Sequence, residues 1–319
     1  MSEIKQTNTV AARLGAAAVG TTAAFALFAA YMVIPPAGFF LSLLAPFPAI
    51  YSRFKHGRST ALIITLLTTT LMTAVFGIQA GALYLLQCAI IALLLPEFLV
   101  KGFPASRAIA WTTAANLMLI ASITLVYSIT SGQNIHQQVV NEINASITQA
   151  IGIYQKAGVK GDELDLLKQS MTRAAELVVK IYPALATLFL IAMSCCNLAL
   201  IKRFAVKLGI DQQFGEFREF KNPEFLVWLL IIAGFAMVAG NPIITIPALN
   251  VVIIVTALYF LQGLAVIITI INRQVLARIL RMMLFLMMLI QPYLAALIAA
   301  LGIFDLWGDF RTPRKKENL

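Results

Sequence analysis

Apolar residues fall in long unbroken blocks along this chain, separated by short polar segments. Leu14–Ile34, Ala61–Phe76, Gly81–Val100, Ile109–Ile129, Val179–Ile201, Phe225–Ala239, Ile244–Ile271 and Met282–Ile303 reach or approach the length of a membrane crossing. One crossing takes roughly 20 mostly apolar residues. In lipid every backbone N–H and C=O must be paired within the segment, so each block is expected to be a helix. A shorter block, Ala37–Ile50, follows Pro35-Pro36 and contains Pro46 and Pro48, which predicts a short, irregular pass. The pattern predicts an all-α fold, a polytopic transmembrane helical bundle of eight or nine spans.

One long segment breaks the apolar rhythm. Residues 131–178 place Ile135, Val139, Ile143, Ile147, Ile151 and Tyr154 three or four apart, then Leu164, Leu167, Met171, Ala174 and Val178 likewise. Each set makes one stripe on a helix. Gly158-Val159-Lys160-Gly161 separates them, and Asp162 stands where a cap for the second helix belongs. The expected product is an amphipathic αα-hairpin, serving as a lid, a docking element or a plain connector.

Composition sharpens the picture: of 319 residues, 60% are hydrophobic and 12% charged, which excludes a soluble domain. The formal net charge is +10, but the cations sit in loops rather than in a patch. Lys5 and Arg13, Arg53 to Arg58, Lys101 and Arg107, Lys202 to Lys221, and Arg273 to Arg281 alternate with uncharged loops at 34–37, 77–81 and 240–243. This is the positive-inside pattern of a chain with a cytoplasmic N-terminus, its cations facing anionic lipid rather than nucleic acid. Leu14–Ile34 is too long for a cleaved leader and is expected to be retained. Nine simple passes leave one difficulty, because they put the basic tail with Arg311, Arg314, Lys315 and Lys316 on the wrong side. A break of Met282–Ile303 at Pro292 into a re-entrant element removes it, and so does one earlier block that does not cross.

Chemistry is sparse. His56 and His136 have no metal-ligand neighbours at useful spacing, and Cys88, Cys195 and Cys196 lie inside apolar blocks. No phosphate loop, zinc signature or nucleophile elbow is present, so no cofactor, metal or enzymatic activity is expected. Asp305, Asp309 and Arg311 are the one dense charged group, read as a stop-transfer tail anchored by Trp307 or, less simply, as a lipid-modifying centre. The polar groups within the blocks are mostly neutral amides. Gln79, Gln87, Asn116 and Asn197, with Trp111, are candidates to line a solute cavity, and the alternative for each is a bond between helices. Asn250 and Gln262 share a block about 120° apart around the helix and so do not form one face. Ala12, Ala16, Gly20 and Ala24 recur every four residues, a small-residue ridge that allows close approach of an internal helix or of a partner subunit.

Several stretches taken together carry a resemblance: Pro35-Pro36, the run Leu44-Ala45-Pro46-Phe47-Pro48-Ala49-Ile50-Tyr51 followed by His56-Gly57-Arg58, Tyr182-Pro183-Ala184, Asn250 with Leu261-Gln262-Gly263-Leu264-Ala265, and the ending Gly302-Ile303-Phe304-Asp305-Leu306-Trp307-Gly308-Asp309-Phe310-Arg311. Over nearly its whole length the chain resembles the YybS-like bacterial membrane proteins. Its N-terminal two-thirds is similar to the S components of energy-coupling-factor transporters. That resemblance implies a bacterial cytoplasmic-membrane protein that binds a small solute and works with ATPase and coupling subunits in trans, docked through the Ala12/Ala16/Gly20/Ala24 ridge. The domain reading is a six-span bundle over 1–201 including the hairpin 131–178, a basic cytoplasmic linker over 202–222, and additional spans with a basic tail over 223–319. The competing reading is a membrane scaffold that binds a protein through 202–222 or the hairpin.

Overall fold

A computed structural model describes residues 10–132, 135–210, 215–273, 276–291, 293–308 and 310–311. Pro292, Asp309, Arg314, Lys315, Lys316 and Lys5 lie outside the described residues. The described residues are helical with short turns and form two compact units, Met1–Gln133 with Phe189–Gly215, and Asn134–Leu188 with Glu216–Leu319.

In the first unit α1 (Val10–Val33) is followed by α2 (Pro35–Ser42) and α3 (Phe47–His56). Proline sits in the first turn of α2 and of α3, where its missing N–H costs nothing. A Cβ on Gly38 would lie 2.1 Å from the Ala30 carbonyl oxygen, so only glycine lets α2 fold back this tightly on α1. Arg13, early in α1, lies within electrostatic reach of His56 at the end of α3. The broken pair α2–α3 therefore returns the chain to the end where α1 began.

Next come α4 (Arg58–Phe76), α5 (Ile78–Tyr84), a π turn (Leu85–Ala89), α6 (Ile90–Val100) and α7 (Ala105–Ser131). Glu97 of α6 bonds Arg53 of α3, which brings the end of α6 to that same basic end. The unit's core is apolar and continuous, from Phe28 and Ile64 to Tyr84, Leu95 and Met193. Phe28 meets the Tyr84 ring edge-on at 5.2 Å between centroids. The last part of α9 (Asp162–Arg203) joins this core, and the short α10 (Ala205–Leu208) packs on α3.

The second unit holds α8 (Ile135–Lys156), the first part of α9, α11 (Phe225–Ala236), α12 (Pro242–Ile271), α13 (Ala277–Ile290) and α14 (Tyr293–Gly308). Asn134–Leu188, most of the hairpin among them, groups with the C-terminal helices Glu216–Leu319 in this unit. Ile143 and Ile147 of α8 face Met171, Ala174 and Val178 of α9 across a groove of about 420 Å³. Asp162 is the first residue of α9 rather than its cap, and Leu164 N–H bonds back to the Gly161 carbonyl.

Among the described residues, six helices are long and apolar enough to cross a membrane: Val10–Val33, Arg58–Phe76, Ile78–Val100, Ala105–Ser131, Asp162–Arg203 and Pro242–Ile271. The pair Arg278–Met288 and Tyr293–Gly308, bent by 119° at the break, makes a seventh if counted as one. The reading of eight or nine exceeds this for two reasons. The 35–56 stretch is split into helices of 8 and 10 residues, and α11 has only 12 before a 3-10 turn at Met237–Ala239.

Candidate functional site

The neutral polar side chains named from sequence separate once placed. Gln79 is exposed on α5 and Trp111 is 55% exposed on α7, so neither lines the unit's interior. Gln87 is half-buried in the π turn. Asn116 and Asn197 are fully buried.

Asn197 serves the backbone: its Nδ2 donates to the Leu43 carbonyl at 2.8 Å and to the Met193 carbonyl at 2.8 Å. Leu43 lies at the break between α2 and α3, where a helix end leaves carbonyls open. Asn197 thus repairs a broken pass, while its Oδ1 has no protein partner.

Asn116 is different, because neither its Nδ2 nor its Oδ1 has a partner although the residue is fully buried. Thr112 and Thr113, one turn earlier on α7, are buried with unpartnered hydroxyls as well. The π turn packs against both α4 and α7. Tyr84, just before it, is fully buried with its hydroxyl beside Thr68 of α4, and neither hydroxyl makes a well-formed hydrogen bond. Among the described residues every buried polar side chain of this unit is uncharged: Ser42, Ser52, Thr60, Thr65, Thr68, Thr112, Thr113, Asn116, Ser194 and Asn197. Leaving such a group unpaired costs about 1–3 kcal/mol. Most buried polar groups in folded proteins are paired, so these, one of them beside a π turn, stand out as exceptions.

The small-residue ridge is partly spent inside the unit. Gly20 and Ala24 are buried, and a Cβ on Gly20 would meet Ile64 of α4 at 2.5 Å. Only Ala12, exposed, and Ala16, half-buried, are left toward the surface, so the partner-docking reading of Gly20 and Ala24 gives way to an internal neighbour.

The second unit holds the densest polar network, and it is not the tail the sequence suggested. Asp305 is 3% exposed, and its Oδ2 accepts from Gln262 Nε2 at 3.0 Å and from Arg311 Nε and Nη2 at 3.1 and 2.7 Å. Gln262 Oε1 in turn accepts from the Asn222 N–H at 2.9 Å. Arg311 also donates to the Arg218 and Phe220 carbonyls at 2.7 and 2.8 Å, and Arg273 donates to the Arg311 carbonyl. The segments around 218–222, 273 and 311 therefore share one end of this unit. Asp305 is carried there by the crossing of α12 and α14 at Gly263 and Gly302, where any Cβ would strike the opposite backbone at 1.8–2.0 Å.

Asn250 faces another way. Its Oδ1 accepts the Ala184 N–H at 2.8 Å and its Nδ2 donates to the Lys180 carbonyl at 2.7 Å. Those two groups lie four residues apart in α9, on either side of Pro183, and the amide bridges them. Among the described residues, no group of three or more His, Cys, Asp or Glu side chains is placed to hold a metal ion.

No curated protein and no solved structure matches this chain. A family model described as "Predicted membrane protein (DUF2232)" matches residues 22–306. With residues 22–306, most of its length, inside that match, the chain belongs to this family of membrane proteins.

Proposed function

We propose that the first unit binds a small uncharged polar solute, and that the chain acts without enzymatic activity of its own as an S-component-like, YybS-like subunit of the bacterial inner membrane. ATPase and coupling subunits would then be separate chains. The observation that carries the reading is Asn116, a fully buried amide with all of its hydrogen-bonding capacity unused by the protein. A solute with matching donors and acceptors offsets that cost, and a charged solute has no buried counter-ion in this unit. Tyr84 and Thr68 set two further hydroxyls beside each other on neighbouring elements.

The same reading sets the topology. Arg13, Arg53, Lys55, Arg58 and Lys101 gather at one end of the first unit, which supports a cytoplasmic placement of that end and of the N-terminus. Counting α2–α3 as a broken pass and α11 as a short one gives eight crossings. α13 and α14 then form a re-entrant pair, consistent with Arg311 lying beside Arg218 and Arg273. Single cysteines at Lys55 and Arg173 test this. Membrane-impermeant maleimide should label only Arg173→Cys in intact cells, and labelling of Lys55→Cys there would overturn the orientation.

The function is tested by purifying the chain in mild detergent with its native partners and identifying bound molecules by mass spectrometry. A defined small solute, lost in Asn116→Leu, is the expected result. A stable protein partner on a chain that carries no solute in either form would overturn it in favour of the scaffold reading.

A further inference from the structure

At the basic end of the first unit, α3, α4 and α6 pack together and leave a small cavity of about 130 Å³ between them. Its mouth is charged, with Arg53, Arg58 and Glu97, and its walls are apolar, with Leu62, Leu93 and Leu94. Arg53 is committed to Glu97 through Nε at 2.5 Å and Nη2 at 3.3 Å. Arg58 is exposed and makes no hydrogen bond to another described residue. Among the described residues that line this mouth Glu97 is the only acid, and Arg58 and Lys101 act on it electrostatically alongside Arg53. The local charge is therefore positive.

Two further features point to an anion. Arg58 opens α4, a helix of 19 residues whose N-cap is Gly57, which has no side chain to satisfy the first-turn N–H groups. That end carries the positive pole of the helix dipole beside the guanidinium. Size then selects the kind of ligand. Whole small molecules occupy sites of roughly 300–1,000 Å³, whereas this cavity has room for about four waters. It takes a compact anionic group while the rest of the ligand stays outside. The walls are spanning helices, and Leu62 is 37% exposed, so the continuation of the ligand is apolar and runs along the membrane-facing surface.

From this we infer that the α3–α4–α6 cavity is a binding site for the phosphate headgroup of an anionic phospholipid, with Arg58 as its main contact and an acyl chain along Leu62, Leu93 and Leu94. The site rests on placing the basic end of the unit at a membrane interface, and it is independent of the solute proposed above. An Asn116 variant leaves it unchanged, and an Arg58 variant leaves the solute bound.

The test offers the full chain in detergent equal amounts of phosphatidylglycerol and phosphatidylcholine and counts the lipids retained by native mass spectrometry. Wild type should retain phosphatidylglycerol preferentially. Arg58→Gln should lower that retention about tenfold, the scale of one charge-assisted contact. Arg58→Lys should restore most of it, Leu93→Trp should abolish it by filling the cavity, and Arg173→Gln on α9 should change nothing. Equal retention of both lipids, or the same loss with Arg173→Gln, overturns the assignment. Displacement of the lipid by inorganic phosphate alone at low millimolar concentration would also overturn it, showing that a soluble phosphate is the occupant.

Discussion

Arg311 and Asp305 form a buried ion pair whose two halves are unequally supported, and this predicts unequal costs on removing them. Asp305 has a side chain 2% exposed and only Gln262 as a second donor, while Arg311 is 16% exposed and keeps two backbone carbonyls. Arg311→Leu therefore strands a carboxylate, at a cost of about 3–5 kcal/mol. Asp305→Asn leaves the guanidinium bonded to Arg218 and Phe220 and near water, at a cost of about 1.5–3 kcal/mol. In the double variant the stranded charge no longer exists, so its cost should fall short of the sum by about 2 kcal/mol. The assay is thermal unfolding in detergent followed by tryptophan fluorescence, with Trp307 on α14 and Trp228 on α11 as reporters. At roughly 2–4 °C per kcal/mol, Arg311→Leu should lower the midpoint by about 10 °C and Asp305→Asn by about half of that. Equal shifts for the two single variants, or shifts that add within about 0.5 kcal/mol, would refute the argument.

Other predictions follow from single contacts. Gly302→Ala should cost at least about 1–3 kcal/mol, because its Cβ meets the Tyr259 carbonyl oxygen at 2.0 Å, whereas Gly234→Ala, with nothing within 4 Å, should stabilise by up to about 1 kcal/mol. Asn250→Ala removes the bridge to Lys180 and Ala184 and should cost about 1–3 kcal/mol, read as a lower melting temperature and faster amide exchange around residue 184. His56, at the Gly57 turn, has its pKa lowered from 6.5 by burial, then by Lys55 and Arg13. The unfolded chain therefore takes up the proton first as pH falls, and stability should drop below pH 6.5 in wild type but not in His56→Gln, as thermal shift across pH 5–8 will show.

Much of the fold was written in the hydrophobic pattern, because a membrane crossing is a local property of composition. Val10–Val33 and Pro242–Ile271 coincide closely with their apolar blocks. The finer organisation was not local. The Asn250 amide that bonds the backbone beside Pro183 in α9 is 66 positions away from Ala184. Asp305 read as the end of a span because its neighbours Trp307 and Arg311 look interfacial, and only the glycine crossing of α12 and α14 reveals it as buried. Gly263 and Gly302 were visible as residues, but nothing in the sequence pairs them. The amides were legible as a class and not individually, since Asn116 and Gln79 differ only in which way their helices face. The basic loops were more telling. Arg53 and Arg58 stand either side of one turn, and the partner of Arg53, Glu97, is the acid at the end of a neighbouring apolar block.

The central claim is that Asn116 is kept polar for a solute rather than for the fold. Its most direct test compares wild type and Asn116→Leu, both purified natively, by solute mass spectrometry and by thermal unfolding. The account predicts that wild type carries a defined uncharged solute, that Asn116→Leu loses at least about nine-tenths of it, and that the solute-free variant is more stable than solute-free wild type by about 1–3 kcal/mol, since an unpaired amide is gone. A variant that binds the same solute equally, or that is less stable than solute-free wild type, would contradict it.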